Sequence, residues 1–320
     1  MSDRVRATPS RRFSAADSGI YLAFVLLVVV LAFASPTFRT LDNLANIGAQ
    51  SAILAIAAFA MTLVIVSGMI DLSVGAVASL AGVVTATRLA AGDPMLVAMF
   101  VGLVVAASIG ALNGAVVVLG RVPSFIATLS TFYIAQGLSL SLTGGQTVTY
   151  ANPEFRSILA TGEAAGVPVA VYWALGAGVL CWLVLHRTRA GADLFAIGGD
   201  SVSSRMLGLP VRRLRFLVLT GAGALMGLVG MILVARIGNA RSDGAIGLEF
   251  DAIAAVVIGG TSFSGGRGSI VRTAVGVLFI GVLNNGLALL NVDYNTQQII
   301  KGVLVVGAVL LDRLSQGRER

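Results

Sequence analysis

The chain has 320 residues, 57% hydrophobic and only 12% charged, with a formal net charge of +7. Soluble domains carry about a quarter charged residues, so this balance excludes an ordinary water-soluble domain and also excludes disorder. It fits a chain whose solvent is largely lipid, where charge is expensive. Nucleic acid is not expected as a partner, because the arginines sit between apolar runs and not on one soluble face. The lone Cys181 and the lone His186 exclude an internal disulfide and a three-ligand His/Cys metal site. No cofactor is expected.

The N-terminus places Arg4, Arg6, Arg11 and Arg12 before the first apolar run, and "AFA" at 32–34 offers a small-x-small pattern. A cleavable signal peptide has this form. The run is long for a signal core, and Pro36 lies beside the cleavage position, so an uncleaved first helix is the better reading. A helix crossing the hydrocarbon layer needs about 20 mostly apolar residues. Ten runs qualify: 19–35, 45–67, 73–91, 95–119, 123–143, 167–186, 214–236, 250–264, 269–290 and 296–312. The eighth is short and ends in glycines, and the stretch at 68–75 is similarly broken. The expected fold is all-α: a polytopic helical membrane protein of about ten spans, one or two of them broken or short. A basic segment (1–18) precedes the transmembrane domain (19–312), and a short tail (313–320) follows it.

Orientation follows from basic residues, which favour the cytoplasmic side. With the N-terminus inside and ten crossings, 16 arginines fall inside and 5 outside. Both termini are then cytoplasmic, and so is the polar segment at about 187–213. The longest outside segment, 144–166, is too short to fold as a soluble domain. If the chain handles a solute, its capture before transport falls to another protein. Two Gly/Ser-rich interruptions, "VIVSGMIDLSVGAV" (64–77) and "VIGGTSFSGGRGSI" (257–270), echo one another and fall on the same side. Transporters often place broken helices of internal repeats beside the substrate path.

The polar segment "GADLFAIGGDSVSSRMLGLPVRRLR" (191–215) is out of character with its surroundings. Asp200 is placed to cap a helix starting at Ser201. Gly208 closes that helix with a left-handed residue and Pro210 follows the stop. The result is a two-turn helix from Ser201 to Leu207, carrying Ser204 and Arg205 and exposing Met206, Leu207 and Leu209. Such a knob fits a partner's groove; a solvated basic loop is the plain alternative.

Seven strings occur in order: "GMIDLSVGAVASLAG", "GALNGAVV", "PSFIATLSTFYIAQGLSLSLTGG", "AIGGDSVSSRMLGL", "FDAIAAVVIGGTSFSGGRGS", "GVLNNGLALL" and "QQIIKGVLVV". Together they resemble the ribose-type permease family of sugar ABC importers, from about residue 45 to 312. The resemblance implies a permease that pairs with itself or a homologue. It also implies docking of cytoplasmic ABC ATPase subunits through the loop matching 191–213, with Asp200, Ser201, Ser204, Arg205, Met206, Leu207 and Gly208 as coupling residues. A periplasmic sugar-binding protein would deliver the solute. The chain has no G-x-x-x-x-G-K-[ST] phosphate loop and its one lysine, Lys301, follows "QQII", so it needs a partner to use ATP. It departs from the family in Ser-Val-Ser-Ser after Asp200, where glutamates and an alanine pair are common, and in Met69 and Arg272, where glycines are usual. Those departures bear on which ATPase and which sugar it accepts.

Within the spans, Asp71 with Ser73 either marks a functional site or caps the third helix. Asn113, Thr128, Gln136, Asn284, Asn285, Gln297 and Gln298 are either helix–helix glue or a weakly polar lining for a sugar path. Phe125 and Phe132 either pack or face the sugar. Two other classes compete with the importer. An ion-coupled secondary transporter needs intramembrane carboxylates, for which Asp71, Glu249 and Asp251 are the nearest candidates. An intramembrane enzyme needs a catalytic constellation, and none is present.

Overall fold

The computed structural model describes residues 15–317. Thirteen helices make up most of it: α1 (Ala15–Ala34), α2 (Leu41–Val66), α3 (Val74–Ala90), α4 (Met95–Val118), α5 (Ser124–Thr143), α6 (Pro153–Arg156), α7 (Val169–Arg187), α8 (Arg189–Gly199), α9 (Ser201–Met206), α10 (Val211–Ile237), α11 (Leu248–Ile258), α12 (Ile270–Leu289) and α13 (Tyr294–Gly317). Two tiny antiparallel pairs close the loops between them. β1 (Val148–Thr149) pairs with β4 (Asn239–Ala240), and β2 (Glu163–Ala164) pairs with β3 (Val167–Pro168). The basic segment expected at 1–18 lies outside the described residues up to position 14, as does the end of the tail from 318 on.

Local signals in the sequence set the boundaries. The Thr40 hydroxyl accepts from the Asn43 amide at 3.3 Å and starts α2. Pro94, Pro123 and Pro210 stand immediately before α4, α5 and α10. Gly144 and Gly238 end α5 and α10 in the left-handed region, at φ +58° and +84°.

From Ser51 to Val66 every residue of α2 except Leu63 is buried. A helix apolar on all sides belongs at the centre of a bundle, and α2 packs against α7, α10, α11 and α12. Helices α4 and α10 touch backbone to backbone: a Cβ on Gly223 would meet the Cα of Gly110 at 2.8 Å. With lipid as solvent, such close approach is a main source of helix adhesion.

Among the described residues six helices are long and apolar enough to cross a membrane: α2, α4, α5, α7, α10 and α12. The chain is thus a multi-pass membrane protein, with shorter apolar helices at Tyr21–Ala34 and Val74–Ala90 beside these six. Helix α3 has 17 residues, and α11 has only 11. At 1.5 Å per residue α11 is about 16 Å long, roughly half the hydrocarbon thickness. The apolar run at 250–264 is therefore a half-helix followed by a turn at 259–269, where Gly260, Gly265 and Gly266 adopt the left-handed region that a right-handed helix does not use.

Candidate functional site

The polar segment folds into two helices where the sequence pointed to one. Helix α8 starts at Thr188, whose hydroxyl accepts from the Gly191 amide at 3.2 Å, and buries Leu194 and Ile197. The i, i+3 spacing of those two side chains was the available signal, masked by the Gly-Gly pair at its end. Helix α9 follows directly. Asp200 Oδ1 accepts from the amides of Val202 (2.9 Å) and Ser203 (3.2 Å), and its Oδ2 accepts from the Ser203 hydroxyl at 2.5 Å. These bonds, led by the Ser203 hydroxyl, hold the Asp200 carboxyl below the usual carboxylate range. Ser201 is half-buried and Ser204 buried beneath the helix. Gly208, at φ +80°, turns the chain, and Leu209 N donates to Ser204 O at 3.0 Å. Arg205 is exposed, and Met206 and Leu207 project with 83% and 81% of their surface free. Leu209 is only half-buried beside them.

The structure ties this segment to the two interruptions that echo each other in sequence. Gly266 N donates to Val66 O at 3.0 Å, joining the end of α2 to the turn after α11. Gly198, at the end of α8, lies against both: a Cβ there would collide with the Val66 carbonyl and reach Gly266 N at 2.5 Å. A Cβ on Gly265 would come within 2.9 Å of both Gly68 Cα and Gly198 O. Three glycine segments thus meet main chain to main chain, with no side chain between them. Arg215 of α10 reaches the same place, donating to Ser67 O at 3.4 Å.

The interruption at 67–73 is pinned on its other side by α5. The Ser124 hydroxyl accepts from Ile70 N and the Thr128 hydroxyl from Leu72 N, both at 3.0 Å. Asp71 Oδ1 accepts from the Ser73 amide (2.8 Å) and hydroxyl (2.6 Å). Asn113 of α4 donates to the Ser73 hydroxyl at 2.9 Å and accepts from the Thr131 hydroxyl at 2.6 Å. Asp71 therefore orders the turn before α3, while Ser73 is the residue that immediately precedes that helix. Asn113 and Thr128 are fully buried, at 0% exposure, with their polar atoms bonded within the protein. In this conformation they brace the interruption and present no polar atom to an open surface.

The remaining candidates divide. Asn285 forms a reciprocal amide pair with Asn43. Asn284 Nδ2 lies 3.4 Å from Asp251 Oδ2, which also receives the Lys301 ammonium at 2.9 Å. Gln297 Nε2 donates to Val292 O at 2.8 Å. Gln136 is half-buried on α5, and Phe132 stacks edge-on against Tyr133. Phe125 lines a cavity of about 530 Å³ whose wall includes Gly68, Met69, Ile70, Ser124 and Ser264. The interruption thus forms part of its wall.

Glu249 carries more structure than its sequence context suggested. It is buried in the first turn of α11, accepts from Gly247 N at 3.0 Å, and lies against Gly75 in the first turn of α3. One carboxylate sits where the N-termini of two short helices meet, the end of a helix that favours negative charge. Only the fold could reveal this, since 174 positions separate Gly75 from Glu249. Among the described residues no group of three His, Cys, Asp or Glu is placed to hold a metal ion.

Comparison with known proteins adds a second line. A family model described as branched-chain amino acid transport system / permease component matches residues 43–309. The ribose import permease protein RbsC of Escherichia coli (strain K12) is 40% identical over 299 residues, covering 92% of this chain and 93% of its own. The protein of the same name from Bacillus subtilis (strain 168) is 39% identical over 296 residues, 92% of each chain. The D-allose transport system permease protein AlsC of Escherichia coli (strain K12) is 36% identical over 295 residues, 91% of this chain and 90% of its own. No solved structure matches significantly.

Proposed function

The chain belongs to the family described as branched-chain amino acid transport system / permease component, and from that premise we propose that it is the permease subunit of an ATP-driven importer for a monosaccharide. The sugar class rests on the relatives, whose names specify ribose and D-allose and which align over nine-tenths of both chains. The mechanical half of the reading rests on one observation: the helix with the exposed apolar tip is fixed through Gly198 to both interruptions of the bundle.

A cytoplasmic ABC ATPase subunit grips α9, with Met206 and Leu207 as the inserted knob and Asp200, Ser201, Ser204, Arg205 and Gly208 shaping it. Movement of α9 passes through Gly198 into the segments at 66–68 and 265–266. The first of these leads into Gly68, Met69 and Ile70 of the cavity wall, so displacement of Ile70 and Leu72 from Ser124 and Thr128 opens a route for solute. A second copy of the chain, or a homologue, completes that route against the exposed apolar faces of α4 and α5. Phe125 at the cavity wall and Gln136, Asn284 and Gln297 elsewhere in the bundle are the side chains we assign to meet sugar. Asp71, Ser73, Asn113, Thr128 and Asn285 hold the frame they stand on. A periplasmic sugar-binding protein supplies the solute, both termini are cytoplasmic, and the protein resides in a bacterial inner membrane. Ion coupling is disfavoured by the engagement of Asp251 with Lys301.

The deciding experiment is uptake into proteoliposomes holding the permease, its ATPase and its sugar receptor. Accumulation should require ATP hydrolysis and should fail when Met206 and Leu207 are changed to aspartate. Accumulation by the permease alone under a proton or sodium gradient would overturn the reading.

A further inference from the structure

The cavity below the 67–73 interruption has a chemistry that a neutral sugar does not explain. Arg121, Arg205, Arg212 and Arg215 all line it, and no acidic side chain does. Among the described residues none of these four forms an ion pair. The Arg215 Nε is buried without a hydrogen-bond partner. Two long helices also begin at the wall, α5 at Ser124 and α10 at Val211. Each follows a proline that offers no capping side chain, so apart from Val211 N, which donates to Leu209 O at 2.8 Å, their first amides are left without a cap from any side chain. Uncapped helix starts favour anions, and guanidinium groups match the oxygens of phosphate two at a time. An uncharged solute would gain little from four cations, which repel one another while the cavity is empty.

We infer that this cavity is a binding site for a phosphate group. The source of that group is either the headgroup of an anionic phospholipid or a free phosphorylated small molecule. Because the four arginines come from the α4–α5 turn, α9 and α10, a bound phosphate would bridge the tip-bearing helix to the bundle.

The test uses the purified full-length chain. In nanodiscs of phosphatidylcholine alone, inorganic phosphate and ribose 5-phosphate are titrated calorimetrically against ribose and sodium chloride at matched ionic strength. In a parallel arm the chain is taken from phosphatidylcholine–phosphatidylglycerol vesicles and its retained phosphatidylglycerol is measured by native mass spectrometry. Both arms compare Arg121→Gln/Arg212→Gln with Arg187→Gln/Arg189→Gln. All four residues are exposed, and each pair removes two charges, but only the first pair touches the cavity. A free phosphate ligand gives saturable binding of the phosphate probes, weakened about tenfold or more by the cavity pair alone. A headgroup ligand gives phosphatidylglycerol retention lost in the cavity pair alone. If neither signal exists, or if both pairs reduce it equally, the arginines are only part of the general positive charge of that face and the inference is overturned.

Discussion

Asn43 and Asn285, 242 positions apart, hold each other by two hydrogen bonds, Asn43 Nδ2 to Asn285 Oδ1 at 3.1 Å and Asn285 Nδ2 to Asn43 Oδ1 at 2.8 Å. Both are buried, and the pair clamps the start of α2 to α12. Asn285→Leu should leave the Asn43 amide short of partners and cost about 1–2 kcal/mol. The double change Asn43→Leu/Asn285→Leu should recover part of that loss, because removing both partners is cheaper than removing one. Thermal unfolding of the purified chain in detergent, read as a double-mutant cycle, checks this. Additive losses would show that the two amides do not act as a pair.

Neighbouring glycines should behave oppositely. A Cβ on Gly198 meets the main chain of Val66 and Gly266, whereas one on Gly199 meets nothing within 4 Å. Gly198→Ala should therefore abolish ATP-driven uptake or prevent assembly, and Gly199→Ala should leave both near wild type. Uptake and ATPase measurements on the reconstituted complex distinguish them; equal tolerance would mean that the close contact does not transmit motion.

The cap on α9 has a defined pH window. Asp200 is held below its ordinary value of 3.8 by bonds that the charged carboxylate accepts more strongly than the neutral acid does. A lowered carboxyl pKa gives stability that is complete above the unfolded value and is lost as pH falls through the folded one. The helix should thus stay capped throughout the neutral range and fray only below about pH 4. Hydrogen exchange at Val202 and Ser203, corrected for intrinsic rates, should show protection falling there in the wild type. Asp200→Asn keeps a good cap and should show no such step; a step persisting in that variant would assign the titration elsewhere.

Asn113 links Ser73 to Thr131, so Asn113→Leu should strip both hydroxyls of a partner. Transport should slow several-fold while the chain still assembles with its ATPase, because the interruption at 67–73 loses one of its braces. Thr128→Val, which removes the acceptor for Leu72 N, should act in the same direction. Co-purification and initial uptake rates give the answer. Unchanged uptake in both variants would show that the brace is not part of the transport cycle.

Much of this was written locally in the sequence. Each of the ten apolar runs contains a helix, though the one at 250–264 stops halfway, because an apolar stretch in lipid must satisfy its backbone within itself. The Asp200 cap and the Gly208 turn were equally legible, since both depend on residues within a few positions. What escaped were features made by distance. Glu249 meets Gly75, Asn285 meets Asn43, and Gly198 meets Val66 only once the bundle has formed. The half-length of α11 was foreshadowed by its glycines, but its meeting with the start of α3 was not.

The junction at Gly198 has a consequence for anyone who would rewire this protein. A screw that engages three plates cannot be moved to another machine by itself. Replacing 187–213 with the equivalent stretch of a relative, to make the permease obey a foreign motor, should fail unless 64–68 and 262–268 travel with it. The compatible unit is the whole joint, assembled from three distant pieces of chain.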